Sequence, residues 1–156
     1  MQILDKSMIA GFVAAAVLST LLLINSAFGL FPELNPIDVV CNSVGVSPTI
    51  AWVIHFMIGT IAWGGLFALL LPYIPGEDHW LKGVLFGLGI WMIIMVGVMP
   101  MVGAGIFGLN YGMVLPVTAA MLHVIFGAVL GTVFGSFIRG FAWIKEAQQL
   151  VRRDKS

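Results

Sequence analysis

Three histidines occur in the chain, and two stand in matching surroundings. Ala51-x-x-x-His55-x-x-x-Gly59 and Ala119-x-x-x-His123-x-x-x-Gly127 each set an imidazole on a stripe of small residues, because positions four apart share one face of a helix. Each histidine is the only ionisable side chain in a long apolar run. An ionisable group at membrane depth is costly and marks a functional site by default. Three roles fit. As structural residues, both imidazoles hydrogen-bond a neighbouring helix while the small stripe lets the helices approach. As axial ligands of a haem b, they hold their ring nitrogens about 4 Å apart, twice a metal–nitrogen bond of ~2 Å, with Gly59 and Gly127 clearing room for the porphyrin. As copper ligands, His55 and His123 are joined by the thioethers of Met99 and Met101, which suit Cu(I). Met92, Met95 and Met99 recur on one face of the third apolar run, although methionine is also an ordinary filler of apolar gaps.

The other reactive side chains say less. His79 lies beside Glu77, Asp78 and Trp80 and reads as a solvated or interfacial residue with no assigned role. Cys41 is the single cysteine, so no intramolecular disulfide can form and the thiol alone is a weak metal signal. The sequence holds no Ser–His–Asp set, no nucleotide-binding loop and no paired carboxylates. No carboxylate lies within an apolar run, where a proton-coupled transporter usually keeps one. A self-contained enzyme or pump is therefore not expected, and no catalytic residues are assigned.

Four apolar runs must position these groups: residues 8–30, 50–71, 83–101 and 117–138. Each has about the 20 residues needed to cross a hydrocarbon core, and none contains Asp, Glu, Lys or Arg. Backbone groups in lipid have to be satisfied within the segment, so the runs are expected to be helices. Composition agrees. Of 156 residues, 60% are hydrophobic and 9% charged, against about 25% charged in a soluble domain. Net charge is zero, and nucleic-acid binding is not expected. The first run, with Lys6 ahead of it and Ser26-Ala27 near its end, has some features of a signal peptide. Its apolar core exceeds the 7–15 residues usual for such signals and no clean Ala-x-Ala site follows, so it reads as a helix of the mature protein.

The seven basic residues Lys6, Lys82, Arg139, Lys145, Arg152, Arg153 and Lys155 fall in the N-terminus, the second loop and the tail. With four spans these share one face, expected to be cytoplasmic. The first loop carries Glu33 and Asp38 and faces outward. Both histidines then lie about 8–12 Å below the outer surface at 1.5 Å per residue. Residues 141–156 place Phe141, Ile144 and Val151 at helical spacing among charges, the pattern of an amphipathic cytoplasmic tail helix lying along the inner surface or, as the alternative, of a frayed, solvated tail. The Gly103–Gly112 loop, flanked by Met101 and Met113, is either a cap over an outward-facing pocket or partner interface, or a flexible connector.

A shift of 68 residues aligns Gly29 with Gly97, Pro32 with Pro100, Ala51 with Ala119, His55 with His123 and Gly59 with Gly127; Ala15 and Ser19 meet Gly83 and Gly87. The fold expected is all-α, an integral membrane four-helix bundle in one domain, residues 1–156, built from two similar hairpins as a parallel internal repeat.

At His55-Phe-Met-Ile-Gly59, Val98-Met-Pro-Met-Val-Gly-Ala-Gly-Ile-Phe-Gly108 and His123-Val-Ile-Phe-Gly127, the chain resembles a family of small four-helix bacterial inner-membrane proteins of unknown function. The resemblance spans Ala10 to about Gly140. It implies the four-helix fold and an inner-membrane location, and it implies no activity. Two functions fit these readings: a non-enzymatic accessory or assembly subunit, with the lipid bilayer and other membrane proteins or itself as partners; or a cofactor binder, haem b first and copper second, for electron transfer or metal handling.

Overall fold

The computed structural model describes residues 2–30 and 35–153. Four helices are long and apolar enough to cross a membrane: α1 (Ile3–Phe28), α3 (Pro48–Leu70), α4 (His79–Met101) and the first part of α5, Val114–Gly140. α5 itself runs on to Arg153. A short helix, α2 (Pro36–Val44), precedes α3. The described residues form no strand.

Each helix starts before its apolar run. α1 opens on a capping box in which the Gln2 amide donates to the Asp5 carboxylate at 2.8 Å. α4 takes His79, Trp80, Leu81 and Lys82 as its first turn after Asp78. α2 was not anticipated. It is held by local chemistry: Asn35 Oδ1 accepts from the amides of Ile37 (3.2 Å) and Asp38 (3.4 Å), Pro36 sits in the first turn, and Gly45 ends the helix at φ 72°. Pro32 and Glu33 lie outside the described residues. The tail keeps its helical backbone to Arg153, while Ser156 and the side-chain placement of Phe141, Ile144 and Val151 lie outside the described residues.

Packing follows the small residues. α1 packs on α3 and on α5, and α4 packs on α5. The core is Ala10, Ala14 and Ala15 of α1, Phe67 of α3, Phe86 and Ile90 of α4, and Phe126, Leu130 and Phe134 of α5. Phe67 is its hub, with ring centroids 5.3 Å from Phe86 and 5.6 Å from Phe134. Two helices widen into π turns, at Ile58–Trp63 and Ile94–Val98. The second has a cause in sequence: Pro100 cannot donate an amide and its ring crowds the Val96 carbonyl, so the turn ahead of it is disturbed.

The Gly103–Gly112 segment has regular structure of its own. A 3-10 turn, Ile106–Tyr111, carries Phe107 at φ 59° and a buried Gly108 at φ 70°. The Asn110 side chain donates to the Gly103 carbonyl at 2.9 Å, and the Trp91 indole donates to the Pro116 carbonyl at 3.0 Å with its ring 5.6 Å from Phe107.

Candidate histidine site

His55 lies seven residues into α3 and His123 nine residues into α5, so both are about 10–14 Å along helices that start from the same end of the bundle. Their glycines are closed by neighbouring helices. A Cβ built on Gly59 would stand 2.7 Å from the Ala15 Cβ of α1. A Cβ on Gly127 would run into the Gly83 carbonyl of α4, and one on Gly87 into the His123 carbonyl. The 68-residue shift pairs these contacts: Gly59 meets Ala15 where Gly127 meets Gly83. At each of these two glycines the space a Cβ would take is held by the neighbouring helix.

The imidazoles themselves differ. His123 Nδ1 turns back to the Ala119 carbonyl of its own helix at 2.7 Å. A carbonyl only accepts, so Nδ1 carries the proton and Nε2 of the neutral ring holds a lone pair. His55 lies against the Ala15 carbonyl of α1, which already accepts from the Ser19 hydroxyl at 2.8 Å. Its Nε2 is buried and has no hydrogen-bond partner among the described residues. Trp52 and Phe56 stand edge-on to the ring, each with its centroid 5.7 Å away. No hydrogen bond or ring contact joins the two histidines among the described residues.

The methionines lie elsewhere. Met99 Sδ faces Gly108 under the 3-10 turn, and Met101 is 86% exposed. No group of three or more His, Cys, Asp or Glu able to hold a metal occurs among the described residues. Cys41 is a free thiol on α2, half-buried.

A family model described as a family of unknown function (DUF6789) matches residues 1–140. The chain belongs to that family. No curated protein and no solved structure matches it. Membership, together with four helices able to span a bilayer, makes the chain a membrane protein whose apolar outer faces suit lipid.

Sequence reasoning missed the residues that decide each histidine's surroundings. Ala15 and Ser19 were visible only as small positions in the repeat, yet His55 lies against the Ala15 carbonyl, which also accepts from the Ser19 hydroxyl. Ser7, fully buried, donates to the Gly64 carbonyl at 2.6 Å and ties α1 to α3. The signal for it was present: Ser7, Gly11, Ala15 and Ser19 recur every four residues, a stripe on one helix face.

Proposed function

We propose that this chain is a non-enzymatic accessory or assembly subunit of a membrane complex, docking to another membrane protein through the outer faces of α3 and α4. The supporting observation is a pair of open glycines. Of the most apolar stretch of each helix, 39% is buried in α1 and α5 but only 17% in α3 and 22% in α4. On the open face of α4, Gly89 and Gly97 have nothing within 4 Å of where a Cβ would stand. Glycine costs a helix about 1 kcal/mol relative to alanine, and lipid has no need of it. Close approach of a partner helix does. The test is Gly97→Leu, which has space for its side chain within the bundle. The wild-type chain extracted from its own membrane is expected to migrate on a native gel with a larger complex, and the variant to fold yet run free. Equal migration of both as a free chain counts against the reading.

A second reading is favoured by the orphaned His55 nitrogen. A buried polar atom without a partner calls for an explanation, and a bound metal or cofactor is one. Here His55, with the Nε2 lone pair of His123, would serve haem b or copper. Gly59 and Gly127 each face a neighbouring helix, Met99 Sδ lies near Gly108 and Met101 is exposed. An optical spectrum and metal analysis of protein from its native membrane decide it: a Soret band or copper lost in His55→Ala supports it, and a spectrum without either removes it.

The same proposal places the protein in a bacterial inner membrane with both termini cytoplasmic. Lys6, Lys82 and Arg139 lie at one end of the bundle, as α1 begins, α4 begins and α5 leaves its apolar stretch. Reporter fusions after Pro36 and Tyr111 are expected to read periplasmic, and a cytoplasmic signal from either contradicts that topology. The matched crossings Gly59–Ala15 and Gly127–Gly83 support descent from a duplicated hairpin.

A further inference from the structure

His79, Lys82 and Arg139 gather where α4 begins and α5 leaves the apolar stretch. Lys82 is half-buried and gives one of its three protons to the Leu71 carbonyl at 3.2 Å. Gly135 forms the floor: a Cβ there would stand 3.0 Å from His79 Cβ and 3.4 Å from both His79 Cγ and Arg139 Nη1, so imidazole and guanidinium flank a glycine ledge. The His79 ring leans on Phe134 with centroids 5.4 Å apart. Lys82, Arg139 and Asp78 all act on His79 electrostatically. The carboxylates nearby do not neutralise the cations: Glu77 and Asp78 are exposed, and among the described residues no acidic group forms an ion pair with Lys82 or Arg139. Trp80 stands 51% exposed at the same level, as an aromatic residue does at a membrane surface.

We propose that Lys82, Arg139 and the His79 edge bind the phosphate of an anionic phospholipid in the leaflet at this end of the bundle. Cations without a protein counter-ion at the rim of the hydrocarbon are matched by a headgroup phosphate. Arg139 supplies a planar fork for two phosphate oxygens and Lys82 a point charge. Imidazole and guanidinium both close on Gly135, which sets them within reach of one headgroup phosphate. The inference rests on the helices spanning a membrane and is independent of any docking role.

Native mass spectrometry of the full chain in a neutral detergent tests it, with phosphatidylglycerol, phosphatidylcholine or inorganic phosphate as the added probe. The wild type is expected to retain phosphatidylglycerol at least fivefold better than phosphatidylcholine. Arg139→Gln is expected to lower that retention about fivefold, the effect of roughly one cation at a membrane surface, while Arg139→Lys keeps most of it. Lys82→Gln gives a second reading should Arg139→Gln fail to fold. Equal retention of the two lipids, or retention unchanged in Arg139→Gln and Lys82→Gln, overturns the proposal. Displacement of the lipid by equimolar inorganic phosphate overturns the lipid assignment and makes free phosphate the ligand.

Discussion

Where α4 crosses α5, glycine meets glycine: side chains added to Gly83, Gly87, Gly127 or Gly131 would each strike backbone of the facing helix. Where α1 crosses α3, the positions corresponding to Gly83 and Gly127 are Ala15 and Gly59, which meet through a methyl group, while a Cβ on Gly11 would strike the Gly59 carbonyl and one on Gly64 the Ser7 carbonyl. This second crossing adds a buried Ser7 hydroxyl on the Gly64 carbonyl, and a π turn, Ile58–Trp63, begins three residues past His55. The histidines differ in step. His123 Nδ1 pairs within its own helix, whereas His55 lies against the Ala15 carbonyl, which also accepts from Ser19, and its Nε2 has no hydrogen-bond partner among the described residues. Both crossings thus bring glycine against backbone; the second adds a hydroxyl clasp, and beside it one histidine nitrogen has no partner among the described residues.

The largest effect is expected on the glycine crossing. Gly83→Leu puts a side chain into the Gly127 backbone, with no rotamer to escape through, and should destabilise the bundle by about 3 kcal/mol or more. Reversible unfolding in mixed micelles measures it; a loss below 1 kcal/mol would mean the α4–α5 contact is looser than described. On the other crossing, Gly59→Ala meets only the Ala15 methyl, so a cost of about 1–2 kcal/mol is expected, and Ala15→Gly should restore most of it in the double variant. Additive losses would break the pairing of those two residues. The smallest effects concern the histidines. His123→Ala gives up one hydrogen bond to a backbone carbonyl and should cost about 1 kcal/mol. His55→Leu removes an unsatisfied buried nitrogen and should be neutral or stabilising by about 1 kcal/mol in cofactor-free protein. A clear loss there would show that His55 has a partner.

Four spans were legible because an apolar run of that length has few other solutions. Their ends were not, since hydrophobicity marks where hydrocarbon begins and helices end at caps: Asp78 and the polar first turn of α4 carry the helix four residues beyond the apolar run. α2 was written in Asn35-Pro36 and Gly45, local signals overshadowed by the loop's polarity. Of the two π turns, the one ahead of Pro100 has a sequence cause; the one at Ile58–Trp63 has none that we can name. The histidine stripes and their glycines were readable from spacing alone. Which neighbour fills each glycine was not, because that depends on how helices distant in sequence come to cross.

Photocrosslinking from the open face of α4 tests the docking role most directly. A photoreactive residue at Ile93, 58% exposed beside Gly89 and Gly97, is activated in the native membrane, with Phe86 as the interior control. The account predicts one discrete protein adduct of constant mass from Ile93, lost when Gly97→Leu is added. Lipid adducts alone, from a chain shown to be folded and expressed at its native level, would contradict it.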